Sequence, residues 1–118
     1  MPLCQNVLGS SIFLAINMKI KEVFVLGADH SWGQDIAVDE QNDICIKSTH
    51  FYADESKLTL KKLYPTGSNK NMADFYVSLI KAFSVYYILE RYSKKQGVKI
   101  YNASEVSLID AFERKRDF

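Results

Sequence analysis

The hydrophobic pattern of residues 21–32 predicts a buried strand that runs into a polar loop. Residues 23–26 are four consecutive apolar residues, which is typical of a strand covered on both faces in a parallel sheet. Gly27 follows, and its missing Cβ permits a tight turn or a close approach by a ligand. Open α/β sheets bind ligands outside the carboxyl ends of their strands, so we expect any chemistry at residues 29–32.

Helical patterns lie on either side of this strand. An apolar run follows Ser10 and Ser11, so the sequence predicts a helix over residues 10–19 with one of these serines as its N-cap. The alternative is that the N-terminus of this helix holds a phosphate. Residues 71–96 carry apolar positions spaced by three and four, which predicts a long helix that ends at Gly97. A second short strand is predicted at residues 98–101, parallel to the first.

The remaining segments predict a long excursion and a short final helix. Alternating apolar positions on both sides of residues 39–43 indicate a β-hairpin. The whole stretch 33–70 is long for a crossover, and such excursions are usually lids or binding loops. Ser107, with Asp110 three positions later, predicts a cap for a helix that runs to about Arg114.

These elements predict an α/β fold with a doubly wound, mostly parallel sheet. No strand is predicted before residue 8, so residues 1–118 are interpreted as one half-domain, the carboxyl-terminal part of a larger unit, with 33–70 as its lid-like excursion. A half-domain leaves an apolar face of its sheet or of helix 10–19 uncovered. We therefore expect self-association as a homo-oligomer.

Charge, cysteine content and the length of apolar runs indicate the expected partners and cellular compartment. The net charge of the 118 residues is +1, which provides no long-range attraction to nucleic acid or to acidic membranes. Cys4 and Cys45 are too few for a disulfide framework and indicate reduced thiols. No apolar run reaches about 18 residues, so no transmembrane span is predicted. These features predict a cytoplasmic protein, with peripheral association at the inner membrane as a further option.

Four side chains could carry chemistry. Asp29 can accept a hydrogen bond from a sugar hydroxyl or cap the loop backbone, and Trp32 can stack on a ligand ring or cover the core. His50 titrates near neutrality and suits a general base, while an ordinary loop histidine is the alternative. Asp29 and His30 with His50 match no known zinc spacing, so no metal site is predicted. The run Asp29-His30-Ser31 is too local to form a catalytic triad.

The run NVLGSSIFLAINMKIKEVFVLGADHSW, with the later HFY and NAS…IDAFER motifs, resembles known families over residues 5–116. It is similar to the MptE-like domains, a group that includes 6-hydroxymethylpterin diphosphokinase-like proteins and motility accessory factors. It also resembles the related bacterial CMP-sialic acid sialyltransferases. The resemblance covers only the carboxyl-terminal half of the family domain, and it implies a Rossmann-like fold.

The resemblance implies transfer of a nonulosonic acid from a CMP-sugar to a glycan hydroxyl, without a cofactor. It implies His50 as the general base and Asp29 as a second catalytic residue. It implies donor-binding roles for Ser10, Ser11 and Asp29. The predicted donor-binding set also includes Gly9, Gly27, His30 and Trp32. The alternatives are a Mg²⁺- and ATP-dependent pterin diphosphokinase and a non-catalytic interaction module.

Overall fold

Residues 3–49 and 58–117 are described by a computed structural model of the chain. The elements in chain order are α1 (Val7–Asn17), β1 (Glu22–Val25), β2 (Ile36–Val38), β3 (Ile44–Thr49), β4 (Leu58–Lys62), α2 (Met72–Gln96), β5 (Lys99–Asn102) and β6 (Glu113–Arg114). They belong to two compact units. Met1–His30 and Ser78–Phe118 form the first unit, and Ser31–Val77 forms the second.

The first unit contains a parallel three-stranded sheet in the order β1-β5-β6. Val23 pairs with Ile100 and Val25 with Asn102, so both strands end at the same edge. This confirms the prediction that the two apolar strands are parallel neighbours. The mixed α/β class is also confirmed, although β1 is at the edge of this sheet and is only partly covered. Val25 is buried while Leu26 is 60% exposed, so the prediction of a strand buried on both faces was wrong.

Helix α1 begins earlier than predicted. Its N-cap is Asn6, whose side chain accepts a hydrogen bond from the Gly9 N–H at 3.0 Å. The predicted helix is confirmed over residues 10–17, but the prediction of Ser10 or Ser11 as its N-cap was wrong, because both serines lie inside the first turns. Asn is as good an N-cap as Ser, so the local signal was ambiguous between residues 6, 10 and 11.

Helix α2 confirms the long helix predicted from its apolar spacing. Asn71 and Asp74 form a reciprocal pair at its start, since each side chain accepts from the other's backbone N–H at 2.9 Å. Gly97 ends the helix with φ +72°, a conformation that favours glycine. Among the described helices, α2 alone is long and apolar enough to cross a membrane. The core helices of soluble domains also pass this test.

The core of the first unit lies between α1, α2 and the parallel sheet. Ile16 and Leu89 are fully buried at its centre, one from each helix, and Ile100 contributes from β5. Gly9 lets the two helices approach closely, because a Cβ there would lie 3.3 Å from Val85 Cγ1. The packed helices and sheet hold the ends of α1 and β1 in fixed positions.

No helix follows β5 in the described residues. The predicted helix over 107–114 was wrong, because Ser107 turns its hydroxyl toward the Ala28 carbonyl at 2.6 Å instead of capping a helix. Asn102 donates to the Ile109 carbonyl, which holds the segment in an irregular loop before β6. Tertiary hydrogen bonds outweigh the weak local helix signal here.

The second unit contains an antiparallel sheet in the order β2-β3-β4. The predicted hairpin is confirmed, with Ile36 paired to Ile46 and Val38 to Ile44. In its turn, the Asp39 carboxylate accepts from the Asp43 N–H at 2.8 Å. The sequence did not predict whether residues 57–63 form a helix or a strand, and in the structure this segment contains β4.

Candidate functional site

The candidate site lies at the carboxyl end of β1, in the loop that leads from Val25 to His30. Gly27 and His30 both have left-handed backbone conformations, with φ of +65° and +56°. Such a conformation is uncommon for histidine and is kept only where the surroundings impose it. The loop therefore presents the His30 side chain in a defined direction.

Buried hydroxyl groups of the segment after β5 hold this loop. Ser104 Oγ accepts from the Ala28 N–H at 3.0 Å, and Ser107 donates to the Ala28 carbonyl. The Leu108 N–H donates to the Asp29 carbonyl at 2.9 Å. Ser104 is 1% exposed, so these bonds are shielded from water. The carboxyl ends of β1 and β5 are thus joined into one rigid edge.

His30 packs against two aromatic side chains of α2. Its ring lies edge-on to Phe83 and tilted against Tyr86, with centroid distances of 5.9 and 5.3 Å. Its Nε2 is 2.5 Å from the Tyr86 hydroxyl, a short hydrogen bond. Tyr86 also lies 3.1 Å from the Asn6 Nδ2. A continuous path of hydrogen bonds therefore joins the N-cap of α1 to the loop after β1.

Burial sets the protonation states in this cluster. Burial lowers the pKa of His30 below its ordinary value, and the Asp29 carboxylate offsets part of the effect. Burial also raises the pKa of the Tyr86 hydroxyl; the hydrogen bond with Asn6 opposes this rise, and nearby Cys4 adds to it. At neutral pH the imidazole of His30 is therefore uncharged and Tyr86 keeps its proton.

The start of α1 belongs to the same site. Unpaired N–H groups at a helix N-terminus favour anions. That end lies one turn before Ser10, because α1 begins at Val7. The Gly9 N–H is already occupied by Asn6, and Val7 and Leu8 are the other residues at the start of the first turn.

The predicted site residues are only partly brought together. Ser10 is exposed, and Ser11 donates to the Val7 carbonyl within the helix at 2.9 Å. The side chain of Asp29 is exposed beside His30. His50 lies outside the described residues, so its part in the site remains a prediction.

The other predicted donor-binding residues have mixed positions. Gly9 is buried against Cys4 and Val85, where a side chain would crowd both. Gly27 is exposed, and a Cβ at Gly27 would have no neighbour within 4 Å. Trp32 is 45% exposed in the second unit. Binding roles for these three residues remain predictions.

Sequence analysis missed Asn6 and Tyr86. Asn6 precedes an apolar run and so carries an N-cap signal, but Ser10 and Ser11 carry the same signal four and five positions later. Tyr86 lies in an apolar helical stripe, where the pattern indicates burial but does not show that its hydroxyl meets a histidine 56 positions away. No pattern in the sequence links residues so far apart.

One cavity lies elsewhere in the first unit. It has a volume of about 250 Å³ and is lined by residues that include Lys94, Lys99 and Glu113. It lies toward the amino end of β5, whereas His30 follows the carboxyl end of β1. Among the described residues, no group of three or more His, Cys, Asp or Glu side chains is arranged to hold a metal ion.

Comparison with known proteins finds no matching family model, no similar curated protein and no similar solved structure.

Proposed function

We propose that this chain binds a CMP-sugar and takes part in transfer of a nonulosonic acid to a glycan hydroxyl. The observation that carries the proposal is the path from Asn6 through Tyr86 to His30. It brings a helix N-terminus and a polar loop to the carboxyl edge of a parallel sheet. This is the place where α/β proteins bind nucleotides, and the helix end favours phosphate.

The proposed roles follow from the groups available. The amides of Val7 and Leu8 bind phosphate oxygens, and Asp29 accepts a hydrogen bond from a ribose or sugar hydroxyl. His30 contacts the donor, and His50 removes the proton of the acceptor hydroxyl. On this proposal the first unit is a Rossmann-like half-domain of a cytoplasmic protein. Peripheral contact with the inner membrane would bring it to a glycan acceptor.

Calorimetric titration of the full chain tests the donor class. We expect binding of CMP and much weaker binding of cytidine, since the helix end recognises the phosphate. Titration with ATP and Mg²⁺ tests the diphosphokinase alternative. Binding of ATP–Mg²⁺ without CMP would support that alternative, and binding of neither ligand would favour an interaction module.

The catalytic role assigned to His50 has its own test. We expect His50→Ala to reduce transfer from a CMP-sugar about 10²–10⁴-fold, the usual contribution of a general base. CMP affinity should stay unchanged. An equal loss of affinity and rate would instead identify His50 as a donor-binding residue.

A further inference from the structure

Two tyrosine–asparagine hydrogen bonds connect α2 to α1. Tyr92 donates to Asn17 Oδ1 at 2.8 Å near the end of α1, and its ring stacks on Phe13 with a centroid distance of 5.7 Å. Tyr86 meets Asn6 at the start of α1 and in addition contacts His30. The two pairs join the same helices, but among the described contacts only the Tyr86 pair includes a residue of the candidate site, His30. Tyr92 therefore provides a matched control for Tyr86.

The direction of the hydrogen bonds in the Tyr86 pair follows from donor chemistry. A backbone N–H can only donate, so the Gly9 N–H points at Asn6 Oδ1 and fixes the amide orientation. The Asn6 Nδ2 then donates to Tyr86 Oη at 3.1 Å. The proton of Tyr86 has two acceptors in reach, His30 Nε2 at 2.5 Å and Asn6 Oδ1 at 3.3 Å.

The shorter contact decides where the Tyr86 proton goes. If Tyr86 donates to His30, each donor and acceptor between the Gly9 N–H and His30 Nε2 has a partner, because Asn6 Oδ1 already accepts from the Gly9 N–H. A neutral imidazole has one acceptor nitrogen and one donor nitrogen, and the partner of one nitrogen sets the tautomer of both. With Nε2 accepting from Tyr86, the ring proton of His30 lies on Nδ1.

We propose that Asn6 and Tyr86 are positioning residues that hold His30 as a neutral imidazole protonated at Nδ1, so that it donates a hydrogen bond to an anionic oxygen of the donor ligand. The inference rests on the proposed function for the identity of that ligand, whose phosphate and carboxylate supply such oxygens. It makes His30 a donor-binding residue and leaves proton removal to another group.

Backbone geometry supports this role. Ser104 and Ser107 are hydrogen-bonded to the backbone of Ala28 in the loop before His30. These bonds hold the left-handed backbone conformation of His30 in place. A hydrogen bond donated to the neutral ring disfavours its protonation, in the same direction as burial. Asp29 acts against both effects, and Cys4 is a further titratable neighbour of Tyr86.

Long-range proton–nitrogen NMR correlations on the full chain, labelled with ¹⁵N at histidine, report the tautomer directly. We expect the His30 signals of an Nδ1–H tautomer in the wild type. In Tyr86→Phe the Nε2 loses its donor, so the tautomer should shift toward Nε2–H and the pKa of His30 should rise. Tyr92→Phe should change neither quantity. An Nε2–H tautomer in the wild type, or equal behaviour of the two variants, would overturn the inference.

Ligand binding separates this inference from the proposed function. We expect Tyr86→Phe to weaken CMP binding about 5- to 10-fold, the size of one net hydrogen bond, and Tyr92→Phe to leave it unchanged. If CMP binds and both variants match the wild type, the inference fails while the proposed function stands. If the wild type does not bind CMP, the proposed function fails together with the ligand assigned to His30, and the NMR experiment still decides the positioning role.

A second variant covers the case in which Tyr86→Phe does not fold. Asn6→Ser keeps a side-chain oxygen that can cap the Gly9 N–H but removes the amide donor to Tyr86. We expect a partial shift of the His30 tautomer in this variant. An unshifted tautomer would show that Asn6 has no positioning role.

Discussion

At the scale of single residues, the most informative group is the partly buried His30. Its side chain is neutral at pH 7 because burial lowers its pKa. Its backbone occupies a region that only glycine, and less often asparagine, aspartate or histidine, tolerates. Both features cost free energy, and the surrounding hydrogen bonds hold them in place.

The titration of His30 predicts the pH dependence of stability. A pKa that is lower in the folded than in the unfolded chain means that the unfolded chain binds more protons. Stability should therefore be fully present above about pH 6.5 and fall as the pH decreases through the folded pKa. We expect His30→Asn, which tolerates the left-handed backbone, to reduce this loss.

Chemical denaturation at several pH values between 7.5 and 5 measures the effect. The same denaturation measurements on His50→Asn show how much of the pH dependence comes from the second histidine of the chain. A wild-type stability that stays flat over this range would contradict the assignment of a neutral, partly buried His30.

At the scale of elements, the loop after β5 departs most from its sequence signal. Ser107 carries a helix-cap pattern, yet its hydroxyl bridges β5 to the loop after β1. It accepts from Asn102 Nδ2 at 3.0 Å and donates to the Ala28 carbonyl. Ser107 is 9% exposed, so its removal leaves polar partners that water cannot reach easily.

Ser107→Ala should destabilise the chain by about 1–3 kcal/mol, because it leaves buried groups without their hydrogen bonds. The matched control is Ser10→Ala, an exposed serine in a helix interior, where alanine is the better helix former and no loss is expected. Urea unfolding of both variants gives the comparison. Equal stability of the two would show that the Ser107 network contributes nothing.

At the scale of the whole molecule, the outer face of α1 is an exposed apolar surface suited to self-association. Val7, Leu14 and Met18 lie on this face at spacings of seven and four, and they are 81%, 60% and 63% exposed. Residues 7–18 contain no charged side chain. Two copies could therefore pack this face against itself without opposing like charges.

We expect the chain to self-associate through this face, as the half-domain interpretation predicts. Leu14→Lys should shift the species toward monomer, because it places like charges opposite each other in a symmetric contact. Val106→Lys changes another residue that is 67% exposed, in the loop after β5, and serves as the control. Light scattering at micromolar concentrations measures both. A monomeric wild type would contradict the prediction.

The sequence by itself determined the elements whose signals are local and strong. Apolar residues spaced by three and four predicted α2, and Asn71 and Gly97 marked its ends. The turn residues around Asp39 predicted the hairpin. The parallel pairing of β1 with β5 also followed, because helical connections permit little else. For α2 and the hairpin, residues close in the chain carry the information.

Tertiary structure alone decided the start of α1, the irregular loop after β5 and the composition of the site. Each depends on partners far apart in the sequence: Asn6 meets Tyr86, Ser107 meets Ala28, and Tyr86 meets His30. Serine and asparagine can cap a helix or bond a distant carbonyl with similar free energy, so local pattern does not choose between these outcomes. Packing of α1 and α2 on the sheet brings the partners together, and the buried hydrogen bonds then select one arrangement.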